Sequence, residues 1–275
     1  MHPDLQPRVQ PSTGWRRFVT AGSLALAVCV PATHAAAQGF AAYITPPRFE
    51  LQTTAGQSLR QVFEIQHVGQ LKGAYRLYTN DWTFLPDNSV LFSDALAADS
   101  CRPWVALERR ELTIEPGARY RFRFEITPPP GTPPRECRFA IMVEGRDPAQ
   151  GSVEVGGRIG VIVYAAVGGA EPVLELAATR VVTANAKPVA VLDVRNQGNA
   201  HGRLEGFVNA TDATGRRFEM SPADLPVLPG ETRTVALVPV DDDGKTAPEV
   251  RFPLSVKGSL EWGKNRLPLD VSFAP

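Results

Sequence analysis

The chain has 275 residues, of which 21% are charged and 43% hydrophobic, with 25 prolines and 23 glycines. This composition is typical of a globular protein with many short strands and turns, and no stretch is long and apolar enough to span a membrane comfortably. Of the 29 basic and 29 acidic residues, three basic and one acidic lie in residues 1–37. Residues 38–275 therefore keep 26 against 28, and this balance excludes an overall basic field for holding nucleic acid.

Residues 1–37 have the pattern of a cleavable secretory signal peptide. Arg16 and Arg17 precede the short apolar run FVTAGSLALAVCVPA, and HAAA offers small residues for cleavage before Gln38. A retained membrane anchor is the alternative, but the apolar run is short for a bilayer. We therefore expect residues 38–275 to be exported and not to be embedded in a membrane.

Cys101 and Cys137 are the two cysteines that remain once the signal peptide, which contains Cys29, is removed. Two cysteines in an exported protein most simply form one disulfide bond. Free thiols or a metal site are the alternatives, and two separated cysteines with so few histidines make a poor zinc site. The sequence therefore predicts a structural disulfide, no metal site and no cofactor.

The first half of the exported chain predicts nine strands. The clearest is RYRFRFEIT, in which Tyr120, Phe122, Phe124 and Ile126 alternate with charged residues. We expect its rings in a core and its arginines in solvent, rather than a mixed basic and aromatic surface for nucleic acid. The predicted strands are 40–51, 59–67, 73–81, 89–92, 103–107, 110–115, 119–127, 136–144 and 152–167.

The last of these strands contains GGRIGVIVYAAVGG, residues 156–169, which is apolar on both faces. A half-buried strand alternates apolar with polar residues, so something must cover the second face here. We expect 159–166 to be buried within its own domain and against the next one. Residues 151–157 are expected to be the more exposed part of an edge strand, whose unpaired backbone can accept a partner strand.

The second half of the chain repeats the pattern of the first. The Pro-Gly turn at 116–117 before an alternating strand corresponds to the Pro-Gly turn at 229–230 before another. The strand, polar glycine turn and strand of 64–81 correspond to 192–212 in the same order. Each copy has about the size of an immunoglobulin-like sandwich and is large enough to bury its own core.

We therefore predict an all-β fold with two immunoglobulin-like β-sandwich domains, 38–167 and 173–275. Gly168, Gly169 and Pro172 interrupt the strand pattern between them, so residues 168–172 are predicted to be the linker. In the second half we place strands at 173–182, 188–196, 203–211, 216–220, 232–239, 250–257 and 266–273.

The sequence contains no G-x-S-x-G, H-E-x-x-H or Rossmann glycine motif. Outside the signal peptide the histidines are His67 and His201, which fall in predicted turns and are interpreted as surface or turn-stabilising residues. An active site needs converging acids, bases, nucleophiles or a metal. The sequence therefore predicts a non-enzymatic binding protein.

One binding protein of this kind is a secreted adhesive or carbohydrate-binding module with two domains. It would need an exposed aromatic platform, and Trp82 and Trp104 are the candidates for it. Both tryptophans lie in strand-like runs, which favours a place in the core instead.

The chain also resembles the PapD-like periplasmic chaperones of pilus and fimbria assembly. The resemblance covers nearly all of 40–275, and its strength lies in the order of several short motifs. These motifs are YITPPRFEL (43–51), DW (81–82), IEPG (114–117), FEITPPP (124–130), RIGVIVYAA (158–166), NQGNAHGRLEG (196–206) and PVLPGETR (226–233).

The resemblance implies a periplasmic location and an L-shaped arrangement of the two domains. It implies pilus or fimbrial subunits as partners, each completed by a strand that the chaperone donates, and an outer-membrane usher. Arg48 matches the family's cleft arginine, which binds the subunit's C-terminal carboxylate. Val153 and Val155 match the alternating donor residues, with Ile159 at the base of the row. The family's cleft lysine falls at Gly160, which carries no charge.

Overall fold

The computed structural model describes residues 41–85, 87–146, 157–240 and 249–275. The predicted signal peptide therefore lies outside the described residues. Within the described ranges the chain forms strands and one short 3-10 helix, Arg102–Trp104, so the prediction of an all-β fold is confirmed. No helix in these ranges is long and apolar enough to cross a lipid bilayer.

Ten strands form a first sandwich of two sheets. One sheet has the strand order β1-β3-β8-β6, and the other has the order β2-β10-β9-β4-β5, with β7 also pairing with β4. The strands are β1 (Ala42–Thr45), β2 (Arg48–Thr53), β3 (Leu59–His67), β4 (Gly73–Phe84), β5 (Val90–Ser93), β6 (Val105–Leu107), β7 (Glu111–Ile114), β8 (Arg119–Ile126), β9 (Arg135–Arg146) and β10 (Arg158–Val167).

The predicted strand 40–51 is divided into two strands that belong to different sheets. Pro46 and Pro47 lie between β1 and β2, and proline cannot donate a ladder hydrogen bond. The chain leaves the first sheet at this point and enters the second, where β2 runs parallel to β10. Arg48 is the first residue of β2 and is paired with Ile162.

The core of the first sandwich lies between its two sheets. The predicted alternation of β8 is confirmed, because Phe122, Phe124 and Ile126 are buried and Tyr120 is partly buried, whereas the alternating arginines of the strand are exposed. Cys101 and Cys137 are buried in the same core and form the predicted disulfide, with their Cα atoms 5.7 Å apart. The bond joins the segment before the short helix to β9.

Seven strands form a second sandwich, in the order β11-β12-β15-β14-β13-β16-β17. They enclose a separate hydrophobic core that includes Leu192, Met220, Leu237 and Phe273. Both sandwiches belong to one compact unit of the chain. The strands are β11 (Leu174–Ala184), β12 (Lys187–Asn196), β13 (Val208–Thr211), β14 (Arg217–Pro222), β15 (Thr232–Pro239), β16 (Leu254–Trp262) and β17 (Asn265–Phe273).

The predicted strand 203–211 is shorter in the structure, where β13 begins only at Val208. Within residues 203–207, Arg203 turns towards the first sandwich and pairs with Glu50, whereas Glu205 keeps an isolated bridge to Glu261 of β16. Gly206 permits this path with a φ of 96°, in a backbone region that favours glycine.

Candidate functional site

Strand β10 has backbone partners on both sides along only part of its length. It pairs with β9 over Arg158–Val167, but β2 pairs with it only from Ile162 onwards. In the part of the chain that the structure describes, Arg158–Val161 therefore has a strand partner on one side only. Val153 and Val155, two of the predicted donor residues, lie outside the described residues.

The hydrogen bonds at both ends of this segment show which backbone groups face its open side. The amide of Ile162 donates to the carbonyl of Pro47 on the β2 side, and the amide of Gly145 in β9 donates to the carbonyl of Gly157. Because backbone direction alternates along a strand, the amides and carbonyls of Arg158 and Gly160 point to the open side. These backbone groups have the orientation that pairing with one more strand would need.

The two apolar faces of β10 are covered by different parts of the molecule. Val161, Val163 and Ala165 are fully buried in the core of the first sandwich, and Ile159 lies partly buried on the same face. Tyr164 and Ile162, on the other face, belong to a second apolar cluster with Trp82 and Phe92 of the β4–β5 hairpin and with Leu228 of the second sandwich. The second apolar face of β10 is therefore covered by the β4–β5 hairpin of the first sandwich together with the second sandwich.

The β4–β5 hairpin leaves little room for a side chain at Gly160. A Cβ atom at this position would lie 2.7 Å from Cζ of Phe92 and 3.3 Å from Sδ of Met142. The ring of Phe92 therefore takes the space that a lysine side chain would need to leave β10 at this point. Position 160 therefore supplies no cation beside Arg48.

Arg48 lies next to the second sandwich and interacts with one acid from each sandwich. Its Nε is 3.0 Å from Oε1 of Glu50, and its Nη1 is 3.5 Å from Oδ2 of Asp224. The side chain of Arg48 is 41% exposed, so part of the guanidinium group is open to solvent. The predicted cleft arginine thus lies between the two sandwiches and close to the open edge of β10.

Arg203 is a residue of this site that the sequence analysis missed. It comes from the second sandwich, and its Nη1 donates to Oδ1 of Asp224 at 2.6 Å. Its Nε lies 3.3 Å from Oε1 of Glu50, and its guanidinium group lies over the ring of Tyr164. Two arginines and two carboxylates therefore form one ion-pair network across the boundary between the sandwiches.

His201 also links the two sandwiches: it lies outside the strands, as predicted for a turn, but its side chain is only 9% exposed, so its interpretation as a surface residue is wrong. Its Nδ1 lies 2.5 Å from Oε2 of Glu136, and its backbone amide donates to the same oxygen. Burial alone would lower the pKa of His201, but the hydrogen bonds and charges of Glu136 and Glu50 outweigh it and raise that pKa. A protonated imidazole here neutralises acids that belong to the first sandwich.

Glu50 is the acid that the cations of this network share. Interaction with the His201 ring, opposed by burial and helped by the charges of Arg48 and Arg203, lowers the pKa of Glu50 to about 2. The carboxylate of Glu50 is therefore ionised at any pH at which the protein is expected to act. A cavity of about 260 Å³ lies beside the network, and its lining includes Glu50, Glu136, Tyr164, His201, Arg203 and Trp262.

The remaining candidate residues lie away from this site. His67 ends β3 rather than forming a turn, and its buried ring contacts the hydroxyl of Tyr75 and the carbonyl of Leu71. Trp82 is 8% exposed and Trp104 packs against the first core, as expected for core residues. These two tryptophans do not form the aromatic platform that a carbohydrate-binding module would need.

No protein-family model matches this sequence, and no curated protein sequence matches it. The chain is similar in architecture to solved fimbrial chaperones. The class 5 fimbriae chaperone CfaA is 13% identical, with a TM-score of 0.46, over 85% of this chain and 99% of that chain. The YadV chaperone is 12% identical, with a TM-score of 0.47, over 83% and 100%. A chain of the CsuC–CsuE chaperone–tip adhesion subunit complex from Acinetobacter baumannii is 15% identical, with a TM-score of 0.43, over 85% and 98%.

Proposed function

We propose that this protein is a non-enzymatic periplasmic chaperone that binds pilus or fimbrial subunits and hands them to an outer-membrane usher for surface assembly. The observation that carries the proposal is the half-paired strand β10. Arg158–Val161 is paired with β9 on one side, and the amides and carbonyls of Arg158 and Gly160 point to the other. A subunit that lacks a strand can pair its own backbone with these groups.

Side chains on one face of the donated strand supply the apolar part of this binding. Ile159 shares its face with the buried Val161 and Val163. If the alternation of the sequence continues backwards, Val155 and Val153 fall on the same face. Each valine that becomes fully covered by a subunit contributes roughly 1.5–3 kcal/mol of apolar burial.

Arg48 supplies the polar anchor at the end of the donated edge. It is paired with Ile162, the residue at which β2 takes over from the open edge. A subunit strand that runs along Arg158–Val161 parallel to β10 must therefore end beside Arg48. Its terminal carboxylate can accept charge-assisted hydrogen bonds from the guanidinium group, which are stronger than neutral ones.

The test is co-expression in a bacterial periplasm with a small pilin-like subunit encoded beside this protein. We expect the subunit to stay soluble, in a complex with this protein, only when the two are produced together. Arg158→Pro removes the outward amide, whereas Arg158→Ala removes the side chain and keeps that amide, so only the proline variant should lose the complex. The double variant Val153→Asp and Val155→Asp should lose it as well. Unchanged subunit solubility with both the proline variant and the double aspartate variant would refute donation of this strand.

A further inference from the structure

The carboxylate of Asp224 bridges two arginines that belong to different sandwiches. Oδ2 of Asp224 lies 3.5 Å from Nη1 of Arg48, and Oδ1 lies 2.6 Å from Nη1 of Arg203. The side chain of Asp224 is 70% exposed, whereas that of Arg203 is only 10% exposed. We call the position between the guanidinium groups of Arg48 and Arg203 the carboxylate seat. The carboxylate of Asp224 occupies it in this structure and is exposed, so a partner can reach it.

Arg203 is held in place by contacts that do not involve Asp224's carboxylate. Its Nε lies 3.3 Å from Oε1 of Glu50, and its guanidinium carbon lies 5.9 Å from the centre of the Tyr164 ring. A cation that is already fixed loses little side-chain entropy when it binds a ligand. The arginine therefore remains aimed at the seat when the aspartate moves away.

The charge of the seat favours a ligand with a single negative charge. Arg48 and Arg203 are balanced by Glu50 and Asp224, and the adjoining protonated His201 is balanced by Glu136, so these six groups are neutral together. Displacing Asp224 leaves one net positive charge, which one carboxylate restores to zero. A doubly charged phosphate group would leave an excess negative charge beside Glu50.

On the basis of the proposed function, we propose that Arg203 is the second cation of the carboxylate seat and that Asp224 occupies this seat until the bound polypeptide's C-terminal carboxylate replaces it. Gly160 offers no charge because Phe92 fills its surroundings, so the second sandwich supplies the cation instead. Binding then depends on both sandwiches at once. Replacement of Asp224 also breaks its ion pair with Arg48, which links the two sandwiches.

The full exported chain is titrated with N-acetylvaline, which carries a minimal C-terminal carboxylate. A second titration uses N-acetylvalinamide, the uncharged analogue of the same compound. The side-chain Nε–H resonances of Arg48 and Arg203 are followed by NMR. We expect both resonances to move with the acid and neither with the amide. Asp224→Asn removes the ion pairs of this exposed carboxylate with Arg48 and Arg203, so it should tighten binding of the acid about two- to fivefold. Arg203→Lys, which keeps the charge but not the planar fork, should weaken binding at least about twofold.

Asp270→Asn is the matched control, because it also removes one exposed acid that is paired with a cation, Lys257, but lies in β17. It should leave the affinity for N-acetylvaline unchanged. The proposal is overturned if the Arg48 resonance shifts on addition of N-acetylvaline but the Arg203 resonance does not. It is also overturned if Asp224→Asn binds N-acetylvaline no more tightly than Asp270→Asn does, or if inorganic phosphate binds the wild type as tightly as N-acetylvaline. Thermal unfolding of each variant without ligand verifies that it is folded.

The two experiments distinguish a failure of the proposed chaperone function from a failure of the proposal that Arg203 and Asp224 form the carboxylate seat. Subunit capture that is insensitive to Arg158→Pro and to the double aspartate variant, together with normal N-acetylvaline binding, refutes strand donation and leaves the seat intact. Subunit capture that depends on the edge, together with an unresponsive Arg203, refutes the seat and leaves strand donation intact.

Discussion

The imidazole ring of His201 stacks on the ring of Tyr164, with the ring centroids 3.8 Å apart and the planes inclined by 28°. His201 comes from the second sandwich and Tyr164 from β10 of the first. Glu136 lies at the edge of the same stack, with its carboxylate on Nδ1 of His201. The titratable ring of His201 thus lies between the two sandwiches and packs against β10, the strand whose edge we propose to be donated.

The contribution of His201 to stability should fall as the pH rises. Its pKa is raised in the folded protein, so the protonated form is favoured by folding. Such a group contributes fully below its unfolded pKa of about 6.5, and the contribution is lost as the pH passes through the higher folded pKa. Urea unfolding of the wild type and of His201→Gln should therefore differ most at about pH 5–6, and the difference should shrink above the folded pKa to the part that comes from the lost stack on Tyr164.

The acidic partner of His201 provides the control for this prediction. Glu136→Gln removes a negative charge next to the ring, so the pKa of His201, measured by NMR, should fall in this variant. A wild-type His201 pKa below about 6.5 would contradict the prediction, as would a stability difference between wild type and His201→Gln that is the same across the pH range.

The ring of Phe92 should make Gly160 intolerant of any side chain. A Cβ atom at this position would lie 2.7 Å from Cζ of Phe92, inside van der Waals contact. We expect Gly160→Ala to lower the free energy of unfolding by about 1–3 kcal/mol, the usual range for overpacking. The measurement is urea unfolding of the wild type, the two single variants and the double variant Gly160→Ala with Phe92→Ala.

The double variant separates this contact from a general effect of alanine in a strand. If Phe92 causes the cost, Gly160→Ala should cost less in the Phe92→Ala background, which gives a non-zero coupling energy. Equal costs in both backgrounds would assign the effect to the backbone of β10 instead.

Local patterns predicted the strands well, because alternation records which face of a strand is buried. RYRFRFEIT is the clearest case, and the buried Phe122 and Phe124 follow from it directly. The split at Pro46 and Pro47 was missed, although proline gives a local signal for it.

The network between the sandwiches could not be predicted in the same way. His201 and Glu136 are 65 positions apart, and Arg203 and Glu50 are 153 apart. Their proximity depends on how the two sandwiches pack against each other, and strand periodicity contains no record of this. The motif NQGNAHGRLEG holds both His201 and Arg203, but their roles become visible only beside β2 and β9.

Removal of the disulfide should destabilise the first sandwich without changing its fold. The bond joins Cys101 and Cys137, which are 36 positions apart and both buried. For a loop of this length the chain-entropy model gives a stabilisation of roughly 3–4 kcal/mol. We expect the double variant Cys101→Ala and Cys137→Ala to lose about this amount in urea unfolding, with far-UV circular dichroism unchanged. Equal stability of the oxidised wild type and the double variant would show that the bond contributes nothing.

Arg233 should fasten the β4–β5 hairpin to the second sandwich. Its guanidinium carbon lies 4.2 Å from the centre of the Phe84 ring, and its Nη1 donates to Oδ1 of Asn88 at 2.7 Å. The side chain of Arg233 is 8% exposed, so the guanidinium group is largely shielded from water, although Asn88 itself is exposed. A shielded cation–π contact and a charged hydrogen bond together contribute about 3 kcal/mol. We therefore expect Arg233→Ala to lower the free energy of unfolding by roughly this amount.

Arg233→Lys tests whether the planar group matters or only its charge. Lysine keeps the charge but cannot stack on Phe84 while it donates to Asn88 and Glu231, so it should recover only part of the loss. Amide hydrogen exchange should accelerate in β5 in both variants, because Phe92 and its neighbours lose the support of the second sandwich. Arg217→Lys, at an exposed position in β14, is the matched control and should change neither quantity. If Arg233→Lys keeps the wild-type free energy of unfolding and the wild-type exchange rates in β5, then the charge alone is enough to hold the β4–β5 hairpin against the second sandwich.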